Sequence, residues 1–566
     1  FIGYKAGEGG TTSAPFSSGI NNTAVGANAL DAFTTGHSNN AFGKAALGQV
    51  TTGYYNIGIG NSAGGAITTG QANVAISQDA LAANQATNDM IAIGFQAMYQ
   101  SNHADTAGNV AVGYTALRMN VKGAQNVAVG DEAGRYATGS KNTFVGHRAG
   151  KGSDSAPYAS GDKNTAFGND AMRGLTTGYQ NVAIGHRAGE NVTTGYSNVY
   201  IGGYRAGYYN QTGHSNIGIG SGAINHDTNN YVNELIGIGG GAGALTAGNV
   251  GDTDGNVYVG YNAGYSNVSG SGLTMLGFKA GQNATGSQNT LIGYEAGNGS
   301  GGAAATNASY NTAVGYRALY AFTSGDQNVA MGREAGANLT TGAQNTFIGT
   351  SAGNQVTSQN YNTFVGSAAG YGVDGGDGSN VAIGREAMYY GDNNANNMVM
   401  GNLALYGTSG GGNNAYRNVA IGTSALQNTS TGDDNIAIGY RAGKDTNNSA
   451  NIYIGNLVSG SAAGNFEYVI GNANHAYDTS QSVEGAGTET IRIGRRTDFI
   501  TNDFGENATW THSSDRRIKK DIKDTNIGLD FILKLQPKEF KKKAPSEYPP
   551  EFSGHDPNET ERKNPD

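Results

Sequence analysis

The chain has 566 residues, of which 93 are glycine, eight proline and none cysteine, with 37% hydrophobic residues and a formal charge of −9. Without cysteine there are no disulfides, thiolate metal sites, iron–sulfur clusters or cysteine nucleophiles, and the acidic balance gives no electrostatic footprint for nucleic acid. Glycine and proline make up about 18% of the chain with no glycine at every third place, which disfavours collagen and a disordered low-complexity chain alike; no apolar run is long enough for a membrane-spanning helix. The chain opens on Phe1 without an initiator methionine or signal-peptide pattern, which reads as a fragment.

A short unit recurs from the start: N-[T/V]-[A/F/Y]-[I/V]-G-x-x-A-[G/L], then a spacer often ending T-T-G-x-x, as in NVAIGHRAGENVTTGYSN from Asn181 and NTFIGTSAGNQVTSQNYN from Asn345. Its anchor glycine occurs at 28 places from Gly3 to Gly494, with Ser77 standing in once, and the commonest spacing is 17 residues. The small and large apolar residues before each anchor predict a short strand. Seventeen residues cannot bury a core alone, so the units are expected to stack as coils of a parallel β-solenoid, a rod of about 130 Å at one strand spacing per coil. The anchor glycine then supplies a positive-φ corner and room for a neighbouring backbone, and the asparagine heading each strand is placed to hydrogen-bond along a ladder. The alanine of G-x-x-A faces either a tight core or a partner chain. A core this thin favours three chains packing their alanine- and glycine-lined faces about a common axis, with a monomeric capped solenoid as the alternative. The strand pattern leaves open whether three rods lie side by side or interweave.

Longer spacings follow the first, ninth and seventeenth anchors, so an eight-coil block reads as duplicated; Pro15 and Pro157 lie in these insertions, where a residue without an N–H is tolerated. Further insertions fall at Ala244 to Gly255 and Tyr406 to Tyr416. They are either slippage of a duplicated gene or sites of carbohydrate or receptor contact, for which Tyr158, Tyr208, Tyr209, Tyr389, Tyr390 and Tyr416 are the candidates, since aromatic rings offer sugars an apolar face and a hydroxyl. The scattered histidines, His37, His147, His186 and His214 among them, have no metal-ligand spacing, so no metal and no cofactor is expected. A polysaccharide-cleaving site would need paired carboxylates across a groove, whereas Asp131–Glu132 and Asp433–Asp434 are adjacent in sequence on repeat turns.

After about Arg496 the repeat stops. Residues 515–566 hold 12 Lys and Arg, 11 Asp and Glu and six of the eight prolines, which marks a different domain with a coarse helix, helix and strand pattern. The stretch HSSDRRIKKDIKDTNIGLDFILKLQPKEFKKK, His512 to Lys543, carries S-D-x-R-x-K at Ser514 to Lys519 and then L-x-x-I-L-x-L-x-P-x-x-F. It resembles the opening of the endosialidase-type intramolecular chaperone, the auto-processing C-terminal domain of phage tail fibres and tailspikes. The upstream repeats resemble the head repeats of trimeric adhesins, which build a parallel β-roll.

These resemblances imply an all-β, homotrimeric solenoid shaft over 1–496, a junction over 497–514 and the start of an α+β chaperone over 515–566. They imply cleavage at Ser514–Asp515, with Ser514 as nucleophile and Lys519 as general base; like-charge crowding of Lys519 by Arg516, Arg517, Lys520 and Lys523 would lower its basicity, as a base needs. The alternative for the same residues is an N-cap at Ser513 or Ser514 heading a solvated basic face. The implied function is a structural and adhesive tail fibre of a phage virion, extracellular, with a host cell-surface glycan or receptor and other tail proteins as partners and no membrane insertion. A bacterial trimeric autotransporter adhesin at the cell surface is the second reading, and a polysaccharide-degrading tailspike the third.

Overall fold

The computed structural model describes residues 1–512 apart from 11–16, 102–106, 155–157, 226–231, 245–254, 300–305, 410–412, 463, 474–482, 496–497 and 506–510. Pro15, Pro157 and the chaperone segment, including its expected helices, therefore lie outside the described residues. By contacts the chain divides into Phe1–His512 and Ser513–Asp566.

The first unit is a parallel β-solenoid, and no helix occurs among the described residues. Each coil contributes one strand, usually three residues long, directly before its anchor glycine: Thr23–Val25 precedes Gly26, and Asn40–Phe42 precedes Gly43. Successive strands pair in parallel and in register, Thr23 with Asn40, Ala24 with Ala41 and Val25 with Phe42, and the pattern continues to Ile452–Ile454 with Tyr468–Gly471. The turns stack as well. The N–H groups of Thr51, Thr52 and Gly53 converge on the Thr68 carbonyl one coil on, at 2.9, 3.3 and 3.2 Å. Every coil is thus hydrogen-bonded to its neighbours on more than one side, so the short strands need no length of their own.

The anchor glycines are sterically obligatory. Gly349 has φ 133°, and a Cβ there would lie 2.6 Å from the carbonyl carbon of Gly366, the next anchor. That region of backbone space is essentially closed to side chains. The one exception, Ser77, holds φ 101°. Two and four residues after the anchor the φ values are again positive but near 55°, the left-handed helical region, and there Glu334, Arg317, Leu319 and Leu47 are accommodated.

The strand-heading asparagines form the expected ladder. Asn328 Oδ1 accepts from Asn345 N at 2.9 Å and Asn345 Nδ2 at 3.1 Å, while Asn328 Nδ2 donates to Asn311 Oδ1 at 3.1 Å and to Gly342 O at 2.9 Å. These side chains are buried, so their amides must find partners within the stack, and those of Asn311, Asn328 and Asn345 do. Glu467 ends the ladder: its N–H donates to Asn451 Oδ1 at 2.8 Å, and its buried carboxylate accepts from the N–H groups of Ser461 at 2.9 Å and Gly487 at 2.8 Å. Beyond it the parallel stack closes with Thr490–Arg495 paired antiparallel to Asp498–Asp503, whose Ile500 and Thr501 pair with Thr511–His512.

The core runs inside the coils, and two of its columns are coupled. One is the central strand residue, the other the residue four after the anchor, and their sizes compensate. Where the centres of a strand and of the next one are both small, as from Ala24, Ala41, Ala313 and Ala420, the second column holds Leu30, Leu47, Leu319 and Leu426. Where a centre is large, the second column is glycine in the same coil and the one before: a Cβ on Gly353 would sit 2.7 Å from the Phe347 ring, and one on Gly336 2.7 Å from the same ring. Tyr200 and Tyr258 are placed likewise, with Asn210 Nδ2 donating to the Tyr200 hydroxyl at 2.7 Å, and burial pushes both phenols well above their ordinary range. The alanine of G-x-x-A, at Ala29, Ala149, Ala335 and Ala352, is also fully buried in its own coil. This corrects the expectation that alanine- and glycine-lined faces meet a partner.

Candidate functional site

Because the strand centre points inward, its two neighbours point out. From Val25 to Ile454 the third strand position is always Val, Ile, Leu, Met or Phe, and the first is Thr, Val, Ile or Met, with Asn40 the single amide. None is charged. In the isolated chain this outward face is open to solvent, with Phe42 exposed to 42%, Phe167 to 56% and Met400 to 46%. An uncharged face of this length, with one of its two rows apolar throughout, exceeds what a solvated protein surface carries without a partner.

Aromatic columns flank it. Tyr261, Phe278, Tyr294 and Tyr316 each follow an anchor glycine and stack with centroids 5.5, 5.0 and 5.3 Å apart. Lys279 lies 5.4 Å from the Phe278 centroid, and Arg317, 5.0 Å from that of Tyr320, holds Glu295 at 2.7 Å. A second column lies five residues after the anchor, where Tyr371 stacks on Tyr389 at 4.9 Å and Tyr389 on Tyr406 at 5.2 Å; Tyr390 meets Tyr389 and Tyr406 edge-on. Burial, reinforced by the neighbouring phenols, pushes the Tyr389 and Tyr406 hydroxyls upward.

The six tyrosines singled out from the sequence do not converge on one site. Tyr158 stacks on Tyr136 at 5.9 Å, and Tyr208 meets Tyr209 edge-on at 4.5 Å with Arg205 4.6 Å over its ring. Tyr389 and Tyr390 join the cluster above. Tyr416 donates its backbone N–H to Asp433 Oδ1 at 2.8 Å, and its ring joins none of the aromatic stacks among the described residues. In the stacked columns the ring faces are spent on one another. Tyr371, Tyr406 and the Tyr261–Tyr316 column emerge only when coils are aligned on their anchors; from Gly366, Gly384 and Gly401 the tyrosines fall into one column.

Carboxylates are tied into ion pairs between coils. Arg148 grips Asp170 through Nε at 2.8 Å and Nη2 at 2.9 Å, Glu190 sits with Arg173 at 2.9 Å and Arg187 at 3.4 Å, and Lys151 reaches Glu132 at 3.2 Å. Burial pushes the Glu132 carboxyl up, but Lys151 and Arg135 outweigh it and hold it below the usual range. Of the adjacent acidic pairs, Asp434 is held by Arg417 at 2.6 and 2.8 Å, Asp433 by the Tyr416 N–H, and Asp131 faces His147 at 3.7 Å. No group of three or more potential metal ligands occurs among the described residues. A cavity of 380 Å³ opens near the end of the stack, lined by Arg441, Lys444, Thr446, Asn448, Leu457 and Ser461 among others.

Ser514, Asp515 and Lys519 lie outside the described residues. The last described strand, Thr511–His512, ends two residues before Ser514. Residues 514–562 match the family model of the chaperone of endosialidase. No curated protein and no solved structure matches the chain. The family match begins at Ser514, the residue at which the repeat-bearing part has just ended, so the chain joins a parallel β-solenoid to an endosialidase-chaperone segment.

Proposed function

We propose that this chain is the shaft of a trimeric phage tail fibre, carried on the virion outside the cell, whose C-terminal segment drives trimer assembly and is then cut away. The observation that carries the reading is the outward strand face, uncharged in both rows and apolar throughout its third-position row, in a chain whose C-terminal segment matches the endosialidase chaperone. Burying that face among three copies removes from water what one copy exposes. Lys519 takes the proton of a Ser514 hydroxyl from a neighbouring copy, that oxygen attacks the Ser514 carbonyl, the amine of Asp515 leaves and water hydrolyses the ester, which separates shaft from chaperone. Host attachment is assigned to the tyrosine-bearing surface around Tyr389, Tyr390 and Tyr406, whose coils also carry amides such as Asn393, which donates to Asn414 at 2.9 Å. The ligand there is a cell-surface glycan.

Mass spectrometry of the expressed chain tests the maturation step: a product ending at Ser514 is expected, and a Ser514→Ala variant that is still cut at this bond overturns the assignment. Glycan-array binding that survives Tyr389→Ala and Tyr406→Ala together would move attachment elsewhere.

A further inference from the structure

The 380 Å³ cavity near the end of the stack opens where other coils place an amide. Tyr200, Tyr258 and Tyr453 are all buried strand centres, and a buried phenol needs a partner. Asn210 Nδ2 donates to the Tyr200 hydroxyl at 2.7 Å, and Asn267 Nδ2 to that of Tyr258 at 2.5 Å. Asn267 follows its anchor Gly260 by seven residues; seven after Gly455, in the coil of Tyr453, stands Ala462, which lines the cavity. Burial pushes the Tyr453 phenol up and Thr446 beside it offsets part of that, but no hydrogen bond to the hydroxyl closes. A Cβ on Gly460, another lining residue, would sit 2.3 Å from that oxygen, so the phenol stands directly behind the wall.

Charge is also left over here. Two residues after the anchor, Arg148 meets Asp170 at 2.8 Å and Arg317 meets Glu295 at 2.7 Å, each from the same place in an adjoining coil. Around Arg441 those places hold Ser424 and Leu457, so Arg441 has no carboxylate partner among the described residues, and its buried Nε is unbonded. Lys444 has only Asp445, at 3.9 Å, whose carboxylate also accepts from Asn428. Two cations against one carboxylate leave the lining one positive charge in excess, beside a Ser461 hydroxyl without a partner. Glu467 lies outside the lining, its oxygens taken by the N–H groups of Ser461 and Gly487.

We propose that this cavity binds a small hydroxylated carboxylate of the uronic acid class, its carboxylate on Arg441 and Lys444 and its hydroxyls on Ser461 and Tyr453. One excess charge suits a monoanion, whereas a phosphate monoester brings nearly two. The volume stands at the lower end of small-molecule sites, which fits one sugar residue and not a polymer. The ligand oxygen beside Tyr453 does what the amides of Asn210 and Asn267 do for the other two phenols.

Isothermal titration calorimetry of the full chain with D-glucuronate tests this, with D-glucose as the uncharged probe and acetate as the anion without hydroxyls. Millimolar binding of glucuronate is expected, with glucose and acetate each about tenfold weaker or more; Arg441→Gln should weaken glucuronate by about tenfold, the loss of one charge-assisted hydrogen bond. Ala462→Asn returns to this coil the amide of the other two. It should abolish glucuronate binding while raising the unfolding temperature, a combination that damage to the fold does not produce and that keeps the test valid should Arg441→Gln fail to fold. No binding of glucuronate, binding matched by glucose or acetate, or binding unchanged in Ala462→Asn overturns the proposal.

Discussion

The two faces of each strand answer to different constraints. Inward, Ala313, Phe347 and Phe364 are matched to the column four residues after the anchor, so size at one position dictates size at another. Outward, Val314, Ile348 and Val365 keep only their apolar character, and no residue of the same chain covers them fully. The inner face is a finished jigsaw and the outer one is half of an interface. Substitutions inside should therefore cost folding, and substitutions outside should cost association.

The largest loss is expected at an anchor. Gly349→Ala combines a forbidden φ with a clash against the backbone of Gly366, so about 3–5 kcal/mol should disappear in chemical denaturation. Phe364→Ala should cost a similar 3–5 kcal/mol or so through the cavity it opens. The compensation between columns makes a sharper claim: adding Gly370→Leu, at φ 59° where Leu319 already sits at φ 49°, should recover more than half of that loss. A double variant no more stable than the single one would mean the two columns are not coupled. Asn328→Ala leaves Asn345 N–H and Gly342 O without their partner, while Asn345 Nδ2 keeps Gln359 O, and about 2–4 kcal/mol is expected from the unmet buried groups. Ser77→Gly should move the other way, gaining about 1–3 kcal/mol by relieving a backbone conformation at φ 101° that other coils give to glycine.

The inner face was only partly legible in the sequence. Anchor glycines and strand asparagines recur at fixed places, so a stacked solenoid, its positive-φ corners and its amide ladder could be read from Gly349 and Asn345 before any geometry. The exchange of Phe364 against Gly353 and Gly370 could not, because it couples residues in separate coils that look like independent variation within one repeat. Alanine at G-x-x-A was ambiguous for a plain reason: a methyl group fits a tight core or a close interface equally well, and only the direction of the strand decides. The aromatic columns were hidden because only some coils carry the ring: Tyr389 and Tyr406 keep the common spacing of 17, whereas an insertion sets Tyr136 and Tyr158 22 apart. Glu467, which ends the asparagine ladder, had no repeat to announce it.

The outer face carries the central claim, and sedimentation equilibrium on the full chain, beside an Ile348→Asp variant, tests it most directly. Three chain masses for the unmodified protein, and a single chain mass with an unchanged far-ultraviolet spectrum for Ile348→Asp, are the predicted result. An unmodified chain that remains a monomer, or a trimer indifferent to a carboxylate in the middle of the strand face, would contradict it.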